Sequence, residues 1–326
     1  MTSDPLRRGE QKGRNQKAEE NRAKNAIHYS QITNLKSQMT NNVPFAKFHG
    51  LGNDFLVVGG KDIPRSLSKF VRAILDRHTG IGADGLLVLT QPRNKKHDAR
   101  LRFFNADGSE AEMSGNGIRC AGAFLAELSP ARRTFLIETL AGVKSVEKIN
   151  EAKGKWLFRV GMGAPVLEPA KIPFKVGDFP APVKGFPLRT QQDVLTVTVT
   201  SMGNPHCSIF VEDFASLDWE GLGREVETGP LFPNRTNVEF VRVISRKEIE
   251  VRFWERGVGH TMSSGTGSCA ATVASILNGL TGRQVRVQTQ AGSLEVAWPE
   301  NGEVILTGPV ERIAEGTYNY QSRFVS

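Results

Sequence analysis

The chain of 326 residues matches itself at an offset of about 150. Arg102-Phe103-Phe104-Asn105 answers to Arg252-Phe253-Trp254-Glu255, and Ser114-Gly115-Asn116-Gly117 to Ser264-Gly265-Thr266-Gly267. Thr139-Leu140-Ala141-Gly142 answers to Thr289-Gln290-Ala291-Gly292, and Gly52-Asn53 meets Gly203-Asn204 in the same register within one residue. Several short matches at one spacing identify a unit used twice, so the fold must be buildable from two copies of that unit. The length allows two cores of ordinary size. Charged residues make up 23% and apolar ones 39%, and no apolar run approaches the ~18 residues of a membrane span, which excludes collagenous, wholly disordered and helical membrane classes.

Within the unit the elements follow a readable order. Phe55 to Val58 and Cys207 to Val211 are short β-rich runs after a Gly-Asn turn, and 101–104 and 249–254 alternate with period two, as strands do. A glycine-rich turn then opens an Ala-rich stretch, 118–128 in one half and 268–280 in the other, long enough for a helix of about three turns. Alternating strands such as 284–288 and 294–298 follow. The expected class is α+β: two pseudo-symmetric domains from an internal duplication, each a mostly antiparallel sheet wrapped around a central helix.

The formal charge of +8 raises the question of a nucleic-acid partner, and its location answers it. Residues 1–43 hold eight Lys/Arg and four acids, so half the excess lies in a polar tail and the rest is diluted over the remaining chain. That tail has too little apolar surface to order itself, lacks the apolar stretch of a signal peptide and carries too many acids for a transit peptide. No nucleic-acid and no membrane partner is expected. Cys120, Cys207 and Cys269 are too few and too scattered for a disulfide framework or a zinc site, which reads as a reduced, cytoplasmic chain.

The repeated chemical element is Ser-Gly-x-Gly at a helix start. Glycine lets backbone approach a ligand closely, and the first N–H groups of a helix have no intrahelical acceptor, so such a start attracts anions. Serine there is equally a common N-cap, and the duplication is what turns the pair Ser114 and Ser264 toward function. Polar groups collect around these turns: Asn105, Asn204, His206, Asn237, Glu255 and Arg256. They offer amide and guanidinium groups suited to the carboxylates and ammonium of an amino acid. Gly80-Ile81-Gly82-Ala83-Asp84-Gly85 matches the dinucleotide-binding spacing but precedes the strand-like 86–89 instead of opening a helix, so no nicotinamide site is expected.

Taken together, Phe48-His49-Gly50-Leu51-Gly52-Asn53-Asp54-Phe55, His78 through Asp84, Asn105 through Cys120, Gly203-Asn204-Pro205-His206 and Glu255-Arg256-Gly257 with Gly265-Thr266-Gly267 resemble the diaminopimelate epimerase family, in order from about Pro44 to the C-terminus. The resemblance implies a tail at 1–43, an N-terminal domain of 44–163 with 310–326, and a C-terminal domain of 164–309. It implies inversion of one α-carbon of LL-diaminopimelate to the meso form, for lysine and peptidoglycan synthesis, with neither pyridoxal phosphate nor metal. Its substrate is a small molecule, and a homodimer is the assembly left open.

By the same resemblance, Asn53, Asn105, Asn204, Asn237, Glu255 and Arg256 hold the substrate. Gly115-Asn116 and Gly265-Thr266 cradle its α-carboxylate, and His206 and Glu255 tune two catalytic cysteines. Those cysteines are absent: Ser114 and Ser264 occupy both positions, and Gly85 replaces a glutamine common in the family. A thiol titrates near 8.5 and an alcohol several units higher, toward the range of water, so an alkoxide base costs roughly 5–10 kcal/mol more than a thiolate. A helix start returns at most about 2 kcal/mol of that. Weak or absent turnover is therefore expected. Three readings stay open: an epimerase with both cysteines changed, a related isomerase or lyase working through Glu255 or His206, and a non-catalytic amino-acid-binding homologue. Cys120 and Cys269, six and five residues past the serines, are not expected to substitute for them.

Overall fold

The computed structural model describes residues 42–320 apart from 65, 176, 178 and 301. The first half runs β1 (Asn42–Gly50), β2 (Asn53–Gly59), α1 (Leu67–Leu75), β3 (Gly85–Thr90), β4 (Ala99–Asn105), β5 (Glu110–Ala111), α2 (Gly115–Leu128), β6 (Thr134–Thr139), β7 (Gly142–Ala152) and β8 (Lys155–Gly163). The second runs β9 (Lys184–Arg189), β10 (Val194–Ser201), β11 (Pro205–Phe210), α3 (Trp219–Glu227), β12 (Asn237–Ser245), β13 (Glu248–Glu255), β14 (Gly259–Thr261), α4 (Gly265–Leu277), β15 (Gln284–Thr289), β16 (Gly292–Ala297) and β17 (Val304–Asn319). The tail expected at 1–43 lies outside the described residues except at its end. There Asn42 and Val43 already pair with β17 and Val43 is buried, so ordered chain begins earlier than the polar composition implied.

In the first half, β1, β2, β3, β4, β6, β7, β8 and β17 pair in that order, and β17 returns to β1, closing an eight-stranded barrel. Only β2–β3 and β4–β6 are parallel, each joined by a helical crossover as parallel neighbours require. The second half repeats the order from β10 through β11, β12, β13, β15 and β16 to β17, with the same two parallel joins. A bridge between Val166 and Ser201 ties β10 to the chain leaving β8. The expected α+β duplication is thus what the chain forms.

α2 and α4 are the inner helices, buried on all sides, as a helix must be when it fills a barrel. Their Ala- and Gly-rich composition follows from the narrow interior that eight strands leave. A Cβ at Gly122 would stand 2.7 Å from a Val146 methyl, and one at Gly117 3.0 Å from the Phe103 ring. α4 stops at Leu277, short of the expected Leu280, because Asn278 turns its side-chain amide back to the Ala274 carbonyl and Gly279 takes a left-handed φ of 71°. α1 and α3 cover the outer faces, α1 through Phe70, Val71 and Ile74 and α3 through Val226.

Candidate active site

The two inner helices begin against each other. A Cβ on Gly265 would lie 2.8 Å from the Gly115 Cα, and one on Gly115 would lie 3.0 Å from the Gly265 Cα, so only glycine permits this approach. Both serines are N-caps: Ser114 Oγ accepts the Gly117 N–H at 3.1 Å and Ser264 Oγ accepts that of Gly267 at 3.2 Å. With those N–H groups capped, the earlier ones at Gly115, Asn116, Gly265 and Thr266 are the donors left at the junction.

Around Ser264 the groups are acidic. Its hydroxyl donates to Glu255 Oε2 at 3.0 Å, and Thr261 donates to Oε1 at 2.7 Å. Burial pushes the Glu255 carboxyl above its usual range, against the pull of those two hydrogen bonds and of His206. β13 and the short β14 hold this arrangement, pairing Glu255 with Gly259 across a tight turn.

His206, fully buried on β11, directs Nδ1 to Glu239 Oε1 at 2.6 Å and Nε2 to Asn204 Oδ1 at 2.9 Å. Among the described residues it forms no hydrogen bond with Ser114 or Ser264. Glu239 is itself buried, and burial raises its carboxyl although His206 and Ser208 oppose the shift.

The remaining expected residues fall into two groups. Asn53 donates to Asp84 at 2.8 Å and accepts from Asn116 at 3.2 Å, which places it beside the start of α2. Asn237 donates to the Pro205 carbonyl at 2.9 Å and accepts the Arg256 N–H at 3.0 Å, so it joins β11 to the Glu255-Arg256-Gly257 turn. Both ends of each amide are therefore engaged within the protein. Asn105 is exposed and donates to Ser109 at 2.9 Å, while the Arg256 guanidinium reaches the Asn234 carbonyl at 3.4 Å. Cys120 and Cys269 are buried, and desolvation pushes both thiols up to about 12, which leaves them inert at neutral pH.

Three residues at the site were not anticipated. Glu239 anchors the histidine. Glu227, on α3, accepts from Trp254 Nε1 and from the Gly257 N–H, both at 2.8 Å, and so fixes the turn that carries Glu255 and Arg256. Arg119 donates to the Gly115 carbonyl at 2.9 Å from one turn along α2. A cavity of about 550 Å³ lined by Arg189, Arg224 and Phe232 lies on the α3 side of Glu227, and none of the expected site residues lines it.

The sequence profile of diaminopimelate epimerase matches residues 45–168 and 198–313. The diaminopimelate epimerase of Pelotomaculum thermopropionicum is 46% identical over 85% of this chain and 99% of its own length, and that of Halothermothrix orenii is 46% identical over 83% and 96%. Among solved structures, a hydroxyproline epimerase from Agrobacterium vitis superposes with a TM-score of 0.62 at 13% identity, covering 86% of this chain and 92% of that one. A Bacillus anthracis phenazine-biosynthesis protein of the PhzF family gives 0.61 at 14% identity, covering 85% and 98%. At such identities the structures share the fold alone. Profile, relatives and doubled barrel agree, and the chain belongs to the diaminopimelate epimerase family of isomerases acting on amino acids.

Proposed function

We propose that the chain binds LL-diaminopimelate where the two helix starts meet, and that positions 114 and 264 act on opposite faces of one α-carbon. The observation that carries this reading is the contact of Gly115 with Gly265, which brings two helix starts with serine N-caps, and their four leading N–H groups, to one junction. A base on one face takes the α-proton, and the electron pair passes into a carbanion stabilised by the neighbouring carboxylate. The group on the other face then gives up its own proton to the carbon, so one position gains the proton the other loses. The N–H donors at Gly115, Asn116, Gly265 and Thr266 hold the carboxylate through that change, where charge develops. Asn53, Asn105, Asn204, Asn237, Glu255 and Arg256 frame the rest of the substrate. Glu255 accepts the proton of residue 264, and together with His206, oriented by Glu239, it tunes the two acting positions.

With serine at both positions the alkoxide penalty governs the rate. The test is α-proton exchange in deuterated water with LL-diaminopimelate, comparing this chain with one carrying Ser114→Cys and Ser264→Cys. We expect the cysteine version to exchange faster by at least about 10³-fold. Equal rates overturn the chemistry proposed for 114 and 264. If that exchange vanishes in Glu255→Gln, the carboxylate is the base. A cysteine version that does nothing overturns the substrate.

A further inference from the structure

Arg119 is a buried cation with no counterion among the described residues. It is fully buried, and no fully buried side chain among the described residues is larger. Nη1 donates to the Gly115 carbonyl at 2.9 Å and Nη2 to Asn116 Oδ1 at 2.8 Å, while Nε has no partner. Among the described residues no carboxylate pairs with it. Desolvation lowers its titration to about 10, which leaves it charged at neutral pH. An uncompensated charge in a protein interior is costly, and replacement by an apolar side chain of similar volume is commonly neutral or stabilising.

The surrounding fold makes room for this charge. A Cβ on Gly50 would stand 3.0 Å from Nη2, and one on Gly308 3.1 Å from Cζ, so β1 and β17 are bare where the guanidinium lies. The duplication does not require it, because the same position of α4 is Cys269. Both of its acceptors belong to the first turn of α2, at the junction with α4. Asn116 passes the contact on to Asn53, and Asn53 to Asp84.

We propose that Arg119 is a positioning residue for an anionic substrate group: it fixes the first turn of α2 through Gly115 and Asn116 and supplies, from beneath, the positive charge that a carboxylate docking at the helix junction answers. This rests on the reading of that junction as the substrate site. The cost of burying Arg119 is then borne by the free protein and relieved on binding.

The test compares this chain, which is expected to bind without rapid turnover, with Arg119→Met, Arg119→Gln and Arg119→Lys. Thermal unfolding is measured without ligand, and calorimetry gives the affinity for meso-diaminopimelate. The Met and Gln variants are expected to unfold at an equal or higher temperature than the parent and to bind at least about tenfold more weakly, as the loss of one nearby charge implies. The Lys variant, which keeps the charge, is expected to stay within a few-fold of the parent. A purely structural arginine gives the reverse, lower unfolding temperatures with unchanged affinity, and that result overturns the proposal. So does a Gln variant that binds like the parent, since glutamine keeps a hydrogen bond to Asn116 without the charge. If Met fails to fold, the Gln and Lys pair decides. If the parent binds no diaminopimelate at all, the substrate reading falls, and the unfolding temperatures still judge whether Arg119 is held at a cost.

Discussion

In the first half, β2 and β3 place Phe55 and Leu87 near the inner helix; at the matching register of β11 and β12 the second half places His206 and Glu239. Asn105 answers to Glu255, and Arg119 to Cys269. The helix starts themselves are nearly superimposable in sequence and capping. A duplicated fold thus supplies matched geometry twice, while the charge is divided: a cation under α2, carboxylates and a histidine under α4. The two faces of an α-carbon are mirror-related only at the carbon itself, because the rest of the substrate breaks the symmetry, and the protein breaks it correspondingly.

Making the second half resemble the first is the harshest way to test this. In the Ser114→Cys, Ser264→Cys background, His206→Phe with Glu239→Leu is expected to cut α-proton exchange by about 10²–10⁴-fold, the usual worth of acid–base assistance. Because a buried polar pair gives way to apolar side chains, thermal unfolding should hold steady or shift upward by the equivalent of about 1–4 kcal/mol. Exchange that survives this swap would show that the polar pair is not part of the chemistry.

What the halves share can be tested by Gly265→Ala. Its methyl would meet the Gly115 backbone, so we expect a loss of about 1–3 kcal/mol in denaturant unfolding together with loss of diaminopimelate binding. Unchanged binding would mean that the helix junction tolerates separation.

The smallest effect concerns pH. Burial raises Glu255 above its usual 4.5, so the folded protein holds a proton that the unfolded chain has released, and stability falls as pH climbs from 4.5 to the raised value. Relative to Glu255→Gln, the parent should lose up to about 1.4 kcal/mol per pH unit across that window and nothing beyond it. Asn105→Ala, at the uncharged equivalent, should show no such pH-dependent difference.

The doubled unit, the strands beside the glycine turns and the serine-capped helix starts were all legible, because each is set by short-range pattern. Glu239 was not. In Asn237-Val238-Glu239-Phe240 the alternation reads as an outward-facing acid, whereas this strand is covered on both sides: Val238 and Phe240 pack with Ile209 and Val226 in the outer core, and Glu239 meets His206 on the inner face. Period two separates the faces of a strand without saying that both are buried. Arg119 hid for a related reason, since a helix buried on every side has no polar stripe against which a charge stands out. Glu227 sits on α3, far along the chain from the Gly257 turn it holds, and only the tertiary fold joins them. The polar residues found from sequence were the ones in the glycine turns or on the strand ends beside them: Asn204 in a turn, and His206, Asn237 and Glu255 at or next to the ends of β11, β12 and β13.

β17 pairs along one edge first with β16 and then with β1, and on its other edge with β8. The repeat so plain in the sequence is therefore not a seam in the fold. A linker between ordinary domains absorbs insertions and cuts, but here the last strand of one unit is also a stave of the other. Damage to it opens two barrels together, and any movement of one unit against the other has to flex a shared ribbon instead of swinging on a free hinge.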